Sequence, residues 1–259
     1  MPRPPERLTA FIASLQLLSI IPLQSSRAPT SIDLGRTVIF FPIVGAALWT
    51  MAVAAALGFY SLLPSTLSAI LGIGVLVVST GALHFDGLMD SADGLFGGRV
   101  PARRLEIMRD SRVGTYGVLA AVLLLFAQVA ALDSLIRSSA GWLPLLAISL
   151  AVGSSSRLAM VWSLWRFPSA QPDGLGAALH GAVSSRFVIV AVVVGIAIAA
   201  PSGGVFTIAS IGVAFILSEV IGRYAVNRLG GLTGDIYGAT GVLVESAALI
   251  VAAAVVGAP

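Results

Sequence analysis

The sequence contains no cysteine and no lysine, and charged residues make up only 10% of it. Without cysteine there is no thiolate nucleophile, no cysteine metal site and no disulfide framework. A chain of 259 residues with so few charges cannot clothe a soluble domain, in which roughly 25% of residues are charged. There is no low-complexity tract either, which excludes disordered and collagen-like chains. Apolar residues are what the sequence has in plenty. They make up 57% of it, with a mean hydropathy of +0.98, as in a single membrane-embedded domain covering 1–259. The net charge of +3 and a pI near 9.9 come from arginine alone. Those arginines sit in short segments between apolar runs and form no basic face, so the expected environment is a lipid bilayer and no nucleic acid is expected as a partner.

A bilayer core about 30 Å thick takes about 20 apolar residues per helix. Long apolar runs lie near 37–62, 66–84, 114–136, 142–163, 187–200, 204–222 and 239–257. Residues 8–21 form a further run that stops at Pro22, too short to span comfortably. The connections at 63–65 and 201–203 are uncharged, whereas those at 85–113, 164–186 and 223–238 carry arginine. With Arg157 counted beside the 164–186 connection, 14 of the 15 arginines fall on one side and only Arg137 on the other. The positive-inside rule puts the rich side in the cytoplasm. A crossing by 8–21 would carry Arg3 and Arg7 outside, so that segment reads as an interfacial or re-entrant helix. The expected fold is all-α: a polytopic bundle of about seven transmembrane helices, N-terminus inside and C-terminus outside. Glycine-rich spans allow close helix packing and a homo-oligomer.

The segment 84–117, HFDGLMDSADGLFGGRVPARRLEIMRDSRVGTYG, holds five of the twelve acidic residues and five of the fifteen arginines. Asp86, Asp90 and Asp93 are spaced i, i+4, i+7 and share one face of a helix. Adjacent carboxylates there lie about 5–6 Å apart and repel by roughly 3 kcal/mol per pair at an effective dielectric near 20. Such an array takes up protons or binds a cation. Oxygen ligands without a histidine or cysteine cluster favour Mg²⁺, Mn²⁺ or Ca²⁺ over zinc, and Mg²⁺ fills its shell with substrate phosphates. Gly94 permits close approach of a bulky substrate. A break at 96–101, with Pro101 at a helix start, leads to Asp110 and Arg112 where the chain re-enters the membrane. An ordinary solvated loop would explain the arginines alone. It explains the aspartates poorly, because they continue an apolar span.

Other polar groups fall toward the same side. Arg157, after Ser154, Ser155 and Ser156, interrupts an apolar run; its fork suits phosphate, with snorkelling as the plain alternative. Glu219 and Arg223, at i and i+4, read as a mutually neutralising pair. GGLTGDIYGATG at 230–241 is a glycine-rich entry to the last span that reads either as a plain turn or as a phosphate-binding helix start, with Gly234 offering backbone and Asp235 completing a metal shell. His84 reads equally as a base, a nucleotide contact or a hydrogen-bonded structural residue, and Trp49, Trp162, Trp165 and Tyr60 read as interfacial anchors. No serine elbow, zinc motif or Walker loop is present. The chemistry indicated is metal-assisted phosphoryl transfer at the cytoplasmic membrane face.

HFDGLMDSADGL, followed by RRLEIMRDSRVGTYGV, resembles the signature of the cobalamin synthase family, the adenosylcobinamide-GDP ribazoletransferases of bacterial vitamin B12 assembly. GGLTGDIYGA is similar to that family's second signature, and the whole chain matches in length, hydropathy and motif order. The resemblance implies a Mg²⁺-dependent enzyme of the bacterial inner membrane. In it, the 3′-hydroxyl of α-ribazole, or of its 5′-phosphate, attacks the phosphorus nearer cobinamide in adenosylcobinamide-GDP, and GMP leaves. It further implies that Asp86, Asp90, Asp93 and Asp235 hold the metal. One of them, or Asp110, takes the hydroxyl proton, and Arg112, Arg157, His84, Gly94 and Gly234 contact substrate. On that basis Asp93→Asn should lose synthase activity. Two rival readings share part of these features. The D-x-x-D-G at 90–94 is similar to the opening of the CDP-alcohol phosphotransferase motif, whose later acidic elements are missing in that form. An ion-coupled transporter should carry its acids near mid-bilayer in two similar halves, and no repeat is visible.

Overall fold

The computed structural model describes residues 6–23, 31–138 and 141–256. Arg3 and Arg27, counted above with the inner arginines, and the C-terminal tail lie outside those residues. In the described chain α1 (Glu6–Leu18) and α2 (Ser31–Thr37) are short, and α3 (Phe41–Tyr60) is the first long apolar helix. Next come α4 (Ser65–Ser79), α5 (Leu83–Gly97) and the short α6 (Pro101–Met108). They are followed by α7 (Thr115–Arg137), α8 (Trp142–Arg166), the short α9 (Leu175–Ala182), α10 (Ser185–Ala199), α11 (Gly204–Leu229) and α12 (Gly234–Val256). Among the described residues there is no sheet, only an isolated bridge between Ser169 and Leu232. Among the described residues six helices are long and apolar enough to cross a membrane, or seven if α4 and α5 are one broken span. The chain is therefore an all-α, multi-pass membrane bundle. At 13 residues, α1 is too short to cross; it packs on α2 and α3.

One span differs from expectation. The apolar run over 66–84 is cut at Ser79, and α5 leaves α4 at 86°. Gly81 and Ala82 make the corner, with φ of 61° and 57°. Glycine takes that region freely; alanine there is strained and must be held by its surroundings. The chain after α1 supplies part of that hold, because the Ile20 amide donates to the Ser79 carbonyl at 2.9 Å. The aspartates thus lie on a separate helix across the end of the bundle and do not continue the span. Here α5 packs on α7 and α12. It comes so close to α12 at Gly87 that a Cβ there would lie 2.8 Å from the Asp235 carbonyl oxygen.

Helix α8 is central, packed by α3, α10, α11 and α12. At its middle Arg157 is fully buried, with Nη1 3.4 Å from Glu245 Oε2 on α12 and 2.6 Å from the Ser156 hydroxyl. Trp49, expected at an interface, is also fully buried, and its indole donates to the same Glu245 oxygen at 2.9 Å. The reason is charge balance: a carboxylate inside a bundle needs every available donor. Starts of α3, α7, α10 and α12 and ends of α8 and α11 share the arginine-rich end. Arg137 stands at the other end, paired with Asp133 at 2.6 Å, and Asp133 also accepts from Thr66 at 3.1 Å.

Candidate active site

At the arginine-rich end, the first turn of α5 meets the first turn of α12. The segment before α12 is pinned from the side: the Leu232 amide donates to the Pro168 carbonyl at 2.9 Å, and the Ala170 amide to the Leu232 carbonyl at 2.8 Å. The Thr233 hydroxyl then donates to Asp235 Oδ2 at 3.2 Å. An acid in the first helical turn also suits the helix dipole. Asp235 is thereby fixed at the mouth of a cavity of about 200 Å³ that Asp86 and His84 line from α5. Leu17 and Leu18 of α1, Leu175 and Leu179 of α9, and Tyr237 of α12 close its apolar sides. Against it lies a more polar cavity of about 310 Å³, lined by Arg109, Ser169, Gln171 and Asp173. The two share Leu175, Gly176, Gly234 and Asp235. The site therefore has an apolar and a polar compartment with Asp235 at the junction.

Two lining groups lack partners. His84 Nε2 and the Tyr237 hydroxyl are buried and make no hydrogen bond among the described residues. Buried polar atoms are normally satisfied, so such a pair on one cavity points to a bound molecule that completes it. Asp86, Asp90 and Asp235 form no ion pair among the described residues. Asp86, Asp235 and Asp93 are all close enough to Asp90 to repel its charge. No group of three or more His, Cys, Asp or Glu among the described residues is gathered tightly enough to hold a metal alone. The donor set is nevertheless all oxygen and uncompensated, which fits a hard cation held by one or two carboxylates plus substrate phosphates.

The remaining candidate residues are placed as follows. Asp93 does not reach the cavity. Its two carboxylate oxygens accept from the Gly114 amide at 2.8 Å and the Gly117 amide at 2.9 Å, capping α7. Asp90 lies one turn from Asp86 and lines neither cavity. Asp110 and Arg112 pair with each other at 2.7 Å in solvent and line neither cavity. The Arg112 guanidinium holds the Asp110 carboxyl down to about 2, a poor match for taking a proton near neutral pH. Arg157 is buried with Glu245 and lines neither cavity. Gly94 faces α6, where a Cβ would lie 2.9 Å from the Arg104 carbonyl oxygen. Gly234 lines both cavities, with open space where a side chain would be. Glu219 and Arg223 pair at 2.9 Å, as their spacing predicts.

The sequence does not single out Ser169, Gln171 and Asp173, which lie outside the quoted motifs, nor Arg109 and Tyr237. The latter two sit inside the quoted motifs, but spacing alone did not separate Arg109, turned to the site, from Arg112, turned to solvent.

Two expected outcomes follow from these placements. Asp93→Ala removes two hydrogen bonds to a carboxylate and should cost about 2–3 kcal/mol of stability, with Asp93→Asn milder. Thermal unfolding in detergent checks this; an unchanged melting temperature with lost activity would return Asp93 to a direct chemical role. Asp110→Asn should leave activity near wild type, measured as kcat/KM, and a large loss would show that the exposed pair touches substrate.

A family model described as cobalamin-5-phosphate synthase matches residues 10–253. A protein of Azorhizobium caulinodans called adenosylcobinamide-GDP ribazoletransferase is 39% identical over 246 residues, covering 92% of this chain and 92% of its own. Proteins of the same description from Desulforamulus reducens and Klebsiella pneumoniae are each 33% identical, over 234 and 235 residues. They cover 90% of this chain and 91% and 94% of their own. No solved structure matches.

Proposed function

The chain belongs to the cobalamin-5-phosphate synthase family, and on that premise we propose the reaction its relatives are named for. It transfers the cobinamide-phosphate group of adenosylcobinamide-GDP to the 3′-hydroxyl of α-ribazole or α-ribazole 5′-phosphate. The acceptor oxygen forms a bond to the phosphorus nearer cobinamide, the phosphoanhydride bond breaks, and GMP departs. The observation that carries this reading is the meeting of Asp86 and Asp235, from two helices, on one cavity beside the unpartnered His84 Nε2 and Tyr237 hydroxyl.

In this reading Arg109 and the α12 N-terminus at Gly234 receive the donor's diphosphate in the polar compartment. The leucine-lined compartment receives the acceptor, with its hydroxyl end toward His84, Asp86 and Tyr237. The carboxylate of Asp86 or Asp235 takes the hydroxyl proton. A Mg²⁺ ion held by Asp86 and Asp235, its shell completed by the diphosphate, would offset charge on the leaving phosphate. The arginine-rich end faces the cytoplasm of a bacterial inner membrane, where the water-soluble donor can reach the cavity.

The test is the reaction itself. Purified protein in liposomes receives adenosylcobinamide-GDP and α-ribazole, with and without Mg²⁺, and cobalamin and GMP are followed together. Equimolar, Mg²⁺-dependent appearance of both is expected. Release of CMP from a CDP-alcohol instead, or no product from folded protein, would overturn this reading.

A further inference from the structure

Away from the catalytic cavity, a larger groove of about 910 Å³ opens between the N-terminal helices and α10. Three arginines from three elements line it: Arg7 of α1, Arg36 of α2 and Arg186 of α10. Among the described residues no acidic side chain lines it. Arg7 and Arg186 have no ion pair or hydrogen bond among the described residues. Ser184, at the N-cap of α10, also lines the groove, and its side chain makes no capping bond.

Beyond Ile39, Phe40 and Phe187, which flank the arginines, the remaining wall is aliphatic. Ile43 belongs to α3, and Val190 and Val194 to α10, both candidate membrane spans. Val194 is eight residues beyond Arg186, roughly 12 Å further along the helix axis. The groove thus runs from Arg7 and Arg186 at the starts of α1 and α10, beside Arg36 in the last turn of α2, to aliphatic surface at membrane depth.

We propose that this groove is a binding site for an anionic phospholipid, with its headgroup phosphate among Arg7, Arg186 and Arg36 and its acyl chains on Ile43, Val190 and Val194. A soluble anion would satisfy the arginines and leave the aliphatic wall uncovered. A zwitterionic lipid would bring its own cation against the guanidinium groups of Arg7 and Arg186. An anionic diacyl lipid matches both ends, and basic pockets between helices at the cytoplasmic side are where such headgroups bind. The same helix that carries Arg7 also carries Leu17 and Leu18, which wall the catalytic cavity. A lipid seated at the start of α1 therefore steadies that wall.

The test uses the full chain in detergent, with phosphatidylglycerol, phosphatidylcholine and inorganic phosphate as probes and native mass spectrometry as the readout. Retention of phosphatidylglycerol over phosphatidylcholine is expected. The double change Arg7→Gln with Arg186→Gln should weaken it roughly 30-fold, and the corresponding double lysine variant should keep it. Equal retention of the two lipids, unchanged retention in the glutamine variant, or displacement by inorganic phosphate alone would each overturn the proposal. Should the double variant fail to fold, Arg186→Gln alone, at an exposed position, should weaken binding about fivefold, and no loss there would overturn it equally.

Discussion

Replacing Asp235 by asparagine is expected to lower kcat by about 10²–10⁴-fold while leaving the fold in place. Asparagine has the same shape and can still accept from the Thr233 hydroxyl, so the first turn of α12 keeps its anchor. What disappears is the charge at the junction of the two compartments. Asp86→Asn should act on the same scale, because Asp86 lines the same cavity from α5. The two losses should not add: residues that act as one unit lose most of their effect with the first removal. Steady-state kinetics of the two single variants and the double variant checks this. Full kcat in either single variant, with only KM raised, would place that carboxylate outside the chemistry.

The second large effect concerns stability. Glu245→Ala leaves the Arg157 guanidinium buried at the middle of α8 with no anionic partner. Arg157 Nε and Nη2 have no hydrogen bond among the described residues, so no second acceptor there takes over. Breaking a buried pair on one side costs about 3–5 kcal/mol, roughly a 10 °C fall in melting temperature for a chain of this length. The double change Arg157→Leu with Glu245→Leu should recover most of that loss, because an apolar pair avoids the desolvation of both charges. Trp49, which loses its acceptor, sets the part not recovered. A single variant that melts like wild type would mean that the charge of Arg157 is balanced elsewhere.

These two networks also show where the sequence was informative. The spans were legible because hydropathy and arginine placement are averages over many residues, and both survive local detail. The corner at Gly81 and Ala82 was not, because Thr80 to Leu83 keep the run apolar while the backbone turns. That corner changes what the aspartate spacing means. On α5 the i, i+4, i+7 spacing holds, but Asp93 is far enough along the helix to meet the α7 N-terminus instead of the cavity. A carboxylate beside two glycine amides reads identically in sequence to a metal ligand. Arg157 and Trp49 misled for a related reason. A polar group in an apolar run announces a partner, and only packing identifies it as Glu245. Asp86, Asp235, Gly234 and His84 were legible because motif residues at the starts of two helices were brought to one place.

The most direct test of the two-carboxylate site substitutes Mn²⁺ for Mg²⁺ and follows it by electron paramagnetic resonance with adenosylcobinamide-GDP present. Tight Mn²⁺ binding is expected in the wild type and in Asp93→Asn, and its loss in Asp86→Asn and Asp235→Asn. Tight Mn²⁺ retained by both of the latter variants, or lost only in Asp93→Asn, would contradict it.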